Sequence, residues 1–272
     1  MFGIKKIVFV LLIYQTRFMQ SAAKKLSIQL SFRPKEQGEG DGAKVRRIIG
    51  VSQMKSYDPF LMLDYFNVKL PAGFPDHPHR GFATLTYLIS GAILHEDFKG
   101  HKGELGPGDV QVMTAGKGIV HAEMPGSHEI PAIGFQLWLN LRGTDKYGPA
   151  DYQEYKSIDI PSVETKDCKV KVVVGEFQNV KSLIKTKTSS EFLDFSLNAN
   201  SLVEKRILKN WRSFLFVYEG KIKVDDKSIE ENTAVFFDQN PTEEGEIHIQ
   251  NDSGAPSKFI LISGYFLINN LS

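Results

Sequence analysis

A succession of short apolar segments runs through most of this chain and limits the folds that it can adopt. The segments are rich in Val, Ile, Phe and Tyr, and they are separated by Gly, Pro, Asp and Asn. They include ATLTYLI, DVQVMT, IGFQLWLNL, KVKVVVGE, SFLFVYEG and KFILIS. No long segment has a convincing amphipathic helical period, so the pattern predicts an all-β sandwich or barrel.

Two of these segments share a plan. LTYLISGAIL (85–94) and LFVYEGKIKV (215–224) each consist of an apolar strand, a turn ending in Gly, and a second strand with aliphatic residues. The similarity predicts two tandem β units divided near residues 155–168. Any β-hairpin has much the same plan, which leaves a chance likeness open.

Length and charge exclude several classes of protein. A chain of 272 residues has room for one large domain or two smaller ones. Its 33 basic and 32 acidic residues give a net charge of +1, so we expect no direct nucleic-acid binding and no membrane association. Cys168 is the single cysteine, which rules out an intramolecular disulfide and a cysteine zinc cage. Any metal ion must therefore be held by nitrogen and oxygen.

The first 25 residues differ from the rest. Lys5 and Lys6 precede the apolar run IVFVLLIY and a group of small residues, which is the order of a secretory signal peptide, although the run is too short to span a bilayer. The alternative is a non-native or alternative extension ahead of a start at Met19. We favour the extension, because the chain has no cysteine pair and its sequons lie near the C-terminal end, at Asn251 and Asn270.

The stretch DHPHRGF places two histidines one residue apart at the start of an apolar strand pattern. Because side chains alternate along a strand, His77 and His79 would face the same way. Pro78 between them has no N–H to donate, which confines the pair to the edge or start of a strand. This geometry suits two ligands that converge on one metal ion.

A second pair follows after a strand and a glycine bend. His121 and Glu123, in GIVHAEMP, repeat the same spacing, so two strands could supply three imidazoles and one carboxylate. The interval 129–247 contains no histidine, which assigns the site to the first half of the chain. Hydrogen-bonded histidines without a metal remain the ordinary alternative.

The motifs around these residues resemble those of the pirin family, which are bicupins of the cupin superfamily. The resemblance rests on GFPDHPHRGF, PGDVQVMTAGKGIVHAEMP and QLWLNL, with GDGAKVRRIIG and DPFLMLDYF upstream. It covers residues 38–160 with specific motifs and continues more weakly to about residue 264. It implies two tandem jelly-roll barrels: an N-terminal cupin domain with a metal site at 26–160, and a C-terminal cupin domain without one at 161–272, after a leader or extension at 1–25.

The resemblance also implies a site and a reaction. His77, His79, His121 and Glu123 match the metal ligands of the family, and the implied metal is one Fe(II) per chain, with other divalent transition metals possible. Members of the family resemble flavonol dioxygenases, which open quercetin-like rings with O₂. Glu123 would then be both a ligand and the base for the substrate hydroxyl.

Several positions depart from the family pattern or stay open. Ala83 stands where pirins commonly have Glu, which leaves the four candidate ligands intact but removes a nearby carboxylate. Val112 stands for a frequent Trp and Lys117 for an Arg, so pocket shape and one hydrogen-bonding group are expected to differ. The tail after LISG is short for the family. Three further residues could orient ligands or line the pocket, although an ordinary turn, surface or core role is favoured for each: Asp76, His101 and Gln136.

The resemblance implies a second function as well. Animal pirins are described as nuclear co-regulators that bind a transcription complex, with the oxidation state of iron as a switch. Lys44, Arg46 and Arg47 could form the responding surface, although a solvated charged strand is the favoured interpretation of KVRR. We expect a monomer in cytoplasm and nucleus whose partners are a flavonol-like molecule and O₂, or a transcription-regulatory complex.

Overall fold

The structure is a computed structural model that describes residues 23–238 and 242–267. The apolar run near the N-terminus, for which a leader or an extension is predicted, lies outside these residues. Within them strands dominate, and the helical segments are two single 3-10 turns, Gly143–Asp145 and Ser157–Asp159. No helix in this part of the chain has both the length and the apolar composition that a membrane crossing requires. The prediction of an all-β fold is confirmed.

The strands of the described residues follow one another along nearly the whole chain. In chain order they are β1 (Lys24–Lys25), β2 (Ser27–Phe32), β3 (Glu36–Glu39), β4 (Ala43–Ile49), β5 (Phe60–Val68), β6 (Phe74–His79), β7 (Phe82–Ser90), β8 (Ile93–Asp97), β9 (Lys102–Leu105), β10 (Val110–Thr114), β11 (Ile119–Pro125), β12 (Ala132–Asn140), β13 (Asp151–Tyr155), β14 (Ser162–Glu164), β15 (Cys168–Val174), β16 (Glu176–Phe177), β17 (Val180–Lys181), β18 (Ser190–Leu197), β19 (Ser201–Ile207), β20 (Trp211–Glu219), β21 (Lys221–Val224), β22 (Lys227–Glu230), β23 (Thr233–Asp238), β24 (Gly245–Asn251) and β25 (Ser257–Tyr265).

These strands form two barrels, each made of a large sheet and a small sheet. The N-terminal barrel combines a seven-stranded sheet, in the order β13-β10-β7-β12-β5-β4-β3, with a four-stranded sheet, β6-β11-β8-β9. The C-terminal barrel combines a seven-stranded sheet, β14-β15-β18-β25-β20-β23-β2, with a smaller sheet around β24 and β21. Nearly all pairs are antiparallel, which is typical of jelly-roll barrels.

The similar plan of 85–94 and 215–224 reflects equivalent turns. In each barrel the chain leaves the large sheet, β7 or β20, and enters the small sheet, β8 or β21. The turn contains a glycine with positive φ in both cases, Gly91 at 73° and Gly220 at 75°. In each barrel this left-handed residue makes the sharp turn from the large sheet to the small sheet. Glycine suits the position because it adopts the conformation without steric cost.

The two barrels pack through their large sheets. One continuous apolar cluster includes Phe135 and Leu137 of β12 together with Phe192 of β18 and Phe216 of β20. Because side chains alternate along β12, Gln136 and Trp138 point to the other side, into the N-terminal barrel. The barrels are therefore in contact through the outer faces of their large sheets. The inner face of the N-terminal large sheet is left to line a pocket.

The first strands of the described chain belong to the second barrel. β1 pairs with β24, and β2 pairs with β23, through residues Ser27 to Phe32. This pairing differs from the predicted N-terminal domain of 26–160, since residues 24–32 complete the C-terminal sheets. Leu26 is buried there, in the same apolar cluster as Ile247. Core packing as well as backbone hydrogen bonds therefore attaches residues 24–32 to the C-terminal barrel.

Candidate metal centre

The two histidines of DHPHRGF lie on β6, at the edge of the small sheet in the N-terminal barrel. Pro78 is accommodated in this edge strand, as the sequence predicts. His77 and His79 are on the same face, with ring centroids 4.7 Å apart. The edge position thus brings two imidazoles together at the mouth of the barrel.

The second pair comes from β11, the neighbour of β6. His121 lies opposite His77, and a register shift follows before Glu123, which lies opposite Phe74. The irregularity places an extra residue on β6, and such bulges re-aim side chains beside functional sites. The ring of His121 lies 4.5 Å from that of His77 and 4.9 Å from that of His79. The three rings therefore form a compact triangle.

Several ring nitrogens in this triangle take part in no hydrogen bond. Neither nitrogen of His79 or His121 has a hydrogen-bond partner, although the two residues are only 4% and 1% exposed. Burial, and then the neighbouring histidines, lower the pKa of His79 to about 3 and that of His121 to about 4. His77 donates its Nδ1 proton to the carbonyl oxygen of Pro75 at 2.9 Å, which leaves its Nε2 free.

Glu123 is buried beside the triangle, with 5% of its surface exposed. Its Oε2 lies 3.8 Å from His121 Nε2 and accepts a hydrogen bond from Gln136 Nε2 at 3.0 Å. The Thr86 hydroxyl lies 3.3 Å from Glu123 Oε1 and donates to Gln136 Oε1 at 2.9 Å. Burial raises the pKa of Glu123, while nearby His77, His95 and these hydrogen bonds act in the opposite direction.

A pocket of about 670 Å³ opens over these residues. This volume lies within the range of small-molecule sites. Phe82 and Trp138 stack on each other at 4.5 Å and form an aromatic wall next to His79. Further lining side chains include Val45, Arg47, Met62, Asp64, Phe66, Phe74, Asp76, His77, Thr86, Ile93, Glu123 and Gln136.

The three residues whose role the sequence left undecided, Asp76, His101 and Gln136, do not all lie at the pocket. Asp76 and Gln136 both line the pocket, and Gln136 also hydrogen-bonds Glu123. His101 does not line it and instead lies beside His95 and Glu154. Sequence reasoning missed Thr86 and Trp138, although the alternation of ATLTYLI and IGFQLWLNL, with polar or bulky residues on one face, signals them.

The departures from the family pattern lie mostly away from the pocket. Ala83 and Val112 are buried in the apolar cluster that joins the barrels, and neither lines the pocket. Lys117 is exposed. Ala83 and Val112 therefore do not contact the pocket, because their side chains point to the opposite face of the large sheet. The expectation that these two positions change the site directly is wrong.

The basic residues of KVRR are paired with acidic neighbours. Lys44 and Arg46 lie within salt-bridge distance of Glu36. Arg47 forms a two-point ion pair with Asp64, at 2.8 and 2.7 Å, and also contacts Glu39. Arg47 belongs to the pocket wall, so it does not form part of an open basic surface with the other two.

The donor set fits a transition-metal ion. One ligand atom from each of His77, His79 and His121 lies within 4.8 Å of the other two, and the carboxylate of Glu123 adjoins them. Four ring nitrogens on the two buried histidines, His79 and His121, have no hydrogen-bond partner among the described residues, as expected of side chains that bind an ion. Neutral imidazole is the form that binds such ions, and burial maintains it here.

Two tandem jelly-roll barrels, with a histidine cluster inside the first, define a bicupin. The chain belongs to the pirin family: the family model described as Pirin matches residues 42–139, and that of the Pirin C-terminal cupin domain matches residues 192–268. The resemblance inferred from the sequence motifs is confirmed, and so is the bicupin fold.

Named relatives cover most of the chain. It is 42% identical to human pirin over 238 residues, which is 87% of this chain and 82% of the relative. It is 44% identical to pirin-like protein 2 of Arabidopsis thaliana over 236 residues, or 85% of this chain and 72% of the relative. Both alignments therefore extend well beyond the motif-bearing segments.

Solved structures share the architecture. A Geobacillus kaustophilus protein superposes with a TM-score of 0.82 at 28% identity, covering 90% of this chain and 98% of that one. A quercetin 2,3-dioxygenase from Acinetobacter baumannii superposes with a TM-score of 0.79 at 25% identity, covering 89% and 87%. The arrangement of both barrels is thus common to these proteins.

Proposed function

We propose that the protein is an iron-dependent dioxygenase that opens quercetin-type flavonols with O₂. The observation that carries the proposal is the convergence of three imidazoles and a buried carboxylate beside an aromatic pocket, which His77, His79 and Glu123 help to line. The likeness to a quercetin 2,3-dioxygenase supports this class of substrate. His77, His79, His121 and Glu123 would hold Fe(II), which supplies redox chemistry with O₂ and acidifies a coordinated hydroxyl.

Glu123 is the group that takes the proton of the flavonol hydroxyl. Its Oε2 faces His121 and is held by Gln136, which leaves Oε1 as the oxygen with the weaker contact, 3.3 Å from the Thr86 hydroxyl. Oε1 is therefore the oxygen that accepts the proton, since a general base must lie within hydrogen-bond reach of the proton that it removes.

The aromatic wall binds and orients the substrate. A flat polyphenol can lie against Phe82 and Trp138, whose rings are nearly parallel, with an interplanar angle of 28°. The apolar side chains around them, such as Met62 and Phe66, exclude water from the bound rings. At the polar end, Asp76 is available to a second hydroxyl group.

The test separates proton transfer from metal binding by means of Glu123→Gln. Anaerobically purified protein is loaded with Fe(II), its iron is counted, and oxygen uptake with quercetin is followed. Loss of a general base typically reduces the rate by about 10² to 10⁴, so uptake should collapse while much of the iron stays bound under saturating metal. Glu129→Gln, an exposed residue on the following loop, is the matched control and should keep full activity.

Absence of quercetin-dependent oxygen uptake by iron-loaded wild-type protein would contradict the enzymatic proposal. In that case the alternative, a redox-dependent co-regulator without turnover, would take its place. Equal activity of Glu123→Gln and wild type would leave the enzyme class intact and remove Glu123 as its base.

A further inference from the structure

We propose a second, exchangeable metal site for a borderline divalent ion such as Zn(II), formed by His95, His101 and Glu154. One ligand atom from each residue lies within 4.8 Å of the other two. The three residues come from β8, from the loop before β9, and from β13, so they connect the small and large sheets of the N-terminal barrel. A second bound ion would exceed the single metal per chain that the sequence predicts.

His95 is the buried member of this cluster. Its side chain is 1% exposed, and neither ring nitrogen has a hydrogen-bond partner. Nε2 lies 2.8 Å from Glu154 Oε1, within ion-pair distance, although no hydrogen bond joins the two atoms. A buried imidazole nitrogen and a carboxylate oxygen this close together are spaced as two ligands of one ion would be.

His101 is held in place by its neighbours. Its ring stacks on Tyr152 with centroids 4.3 Å apart, and its backbone N–H donates to Asp97 Oδ1 at 2.9 Å. Its Nε2 lies 3.9 Å from Glu154 Oε1, and its side chain is 40% exposed. The site is therefore preorganised on one side and open to solvent on the other.

Glu154 is oriented from the neighbouring strand. Gln111 Nε2 donates to its Oε1 at 2.8 Å, and Gln111 is itself buried in β10. Hydrogen bonds to a ligating carboxylate hold it in the geometry that a metal requires. Two imidazoles and one carboxylate, with a further position open to water, form a donor set that suits Zn(II).

Gly103 allows the His95 ring to approach β9 closely. A Cβ at this position would lie 2.3 Å from His95 Nε2 and 3.2 Å from Glu154 Oε2. Gly103 lies in β9 and does not have a positive φ, so its backbone does not require glycine. The close approach of His95 therefore accounts for glycine at this position, and a methyl group here would push the ring nitrogen out of the cluster.

The test uses the full-length protein and Zn(II) alone. Wild type, His101→Ala and Gly103→Ala are dialysed against micromolar Zn(II), and bound zinc is counted by elemental analysis. Gly38→Ala is the matched control, because Gly38 also lies in a strand and nothing approaches its Cβ position. His248→Ala tests the other cluster of candidate ligands, Glu204, Glu246 and His248.

We expect wild type and both controls to bind one more zinc per chain than His101→Ala and Gly103→Ala, whose affinity at this site should fall at least about tenfold. Crystals soaked in Zn(II) should show an anomalous peak between His95, His101 and Glu154. Equal zinc in all five proteins, or a peak at His248 and none here, would overturn the proposal. His101 is exposed, so its variant should fold even if Gly103→Ala does not.

Discussion

Gln136 is the side chain on which the orientation of Glu123 depends. It donates to Glu123 Oε2 at 3.0 Å and accepts from Thr86 at 2.9 Å, so its amide has a defined orientation. Residues that hold a metal ligand through hydrogen bonds contribute to affinity without touching the ion. Gln136 thereby acts as a positioning residue at the candidate centre.

Replacing Gln136 by Leu should weaken metal binding about 10- to 100-fold, because Glu123 loses its donor and can rotate away from the imidazoles. The measurement is competition for Fe(II) or Co(II) against a chelator of known affinity. Gln250→Leu, on an exposed face of β24, should bind metal like wild type. Unchanged affinity in Gln136→Leu would mean that Glu123 needs no orientation by this amide.

At the scale of elements, the turn between β7 and β8 determines where the chain crosses from the large to the small sheet. Gly91 has φ of 73°, and a Cβ there would lie 2.4 Å from the carbonyl oxygen of Pro131. Gly100, in the next turn, has φ of 84° but nothing within 4 Å of its Cβ position. The two glycines share backbone conformation and differ in surroundings.

Gly100→Ala should therefore cost about 1 to 2 kcal/mol of unfolding free energy, the penalty for a left-handed residue with a Cβ. Gly91→Ala should cost more, because the methyl group also collides with backbone that cannot move independently. Urea unfolding of both variants measures the difference. A loss in Gly91→Ala no larger than that in Gly100→Ala would show that the turn relaxes around the methyl group.

At the scale of the whole molecule, Asp109 ties the first barrel to the segment that leads to the second. Its carboxylate accepts hydrogen bonds from the backbone N–H of Gly106 in its own turn and of Ser157 in the connecting segment, at 2.9 and 2.7 Å. Lys156 Nζ lies 2.8 Å away. Burial by itself raises the pKa of Asp109, but these contacts outweigh it and hold the pKa below its usual value.

A carboxyl group whose folded pKa is depressed stabilises the protein above its unfolded pKa, and this stability is lost as pH falls through the folded value. Asp109→Asn should thus lose about 1 to 3 kcal/mol at pH 7 and show a smaller deficit relative to wild type at pH 3 or below. Urea midpoints at both pH values give the result. Asp151→Asn, exposed at the start of β13, is the control, and a deficit independent of pH would contradict the assignment.

The all-β class and the candidate ligands on β6 and β11 can be read from local sequence patterns. Both depend on a period of two along a strand, so His77 with His79, and His121 with Glu123, could be placed on one face without knowing which strands pair. Pro78 likewise indicated the edge strand, since its missing N–H is a local property.

The contacts between distant segments of the chain are visible in the folded molecule alone. The pairing of β2 with β23, the place of Ala83 between the barrels, and the approach of Glu154 to His95 all join residues far apart in the chain. No local pattern encodes these contacts, because they follow from how two sheets close into a barrel and how two barrels pack. The orientation of Glu123 by Gln136 is of the same kind, since it required β12 and β11 to lie across one interior.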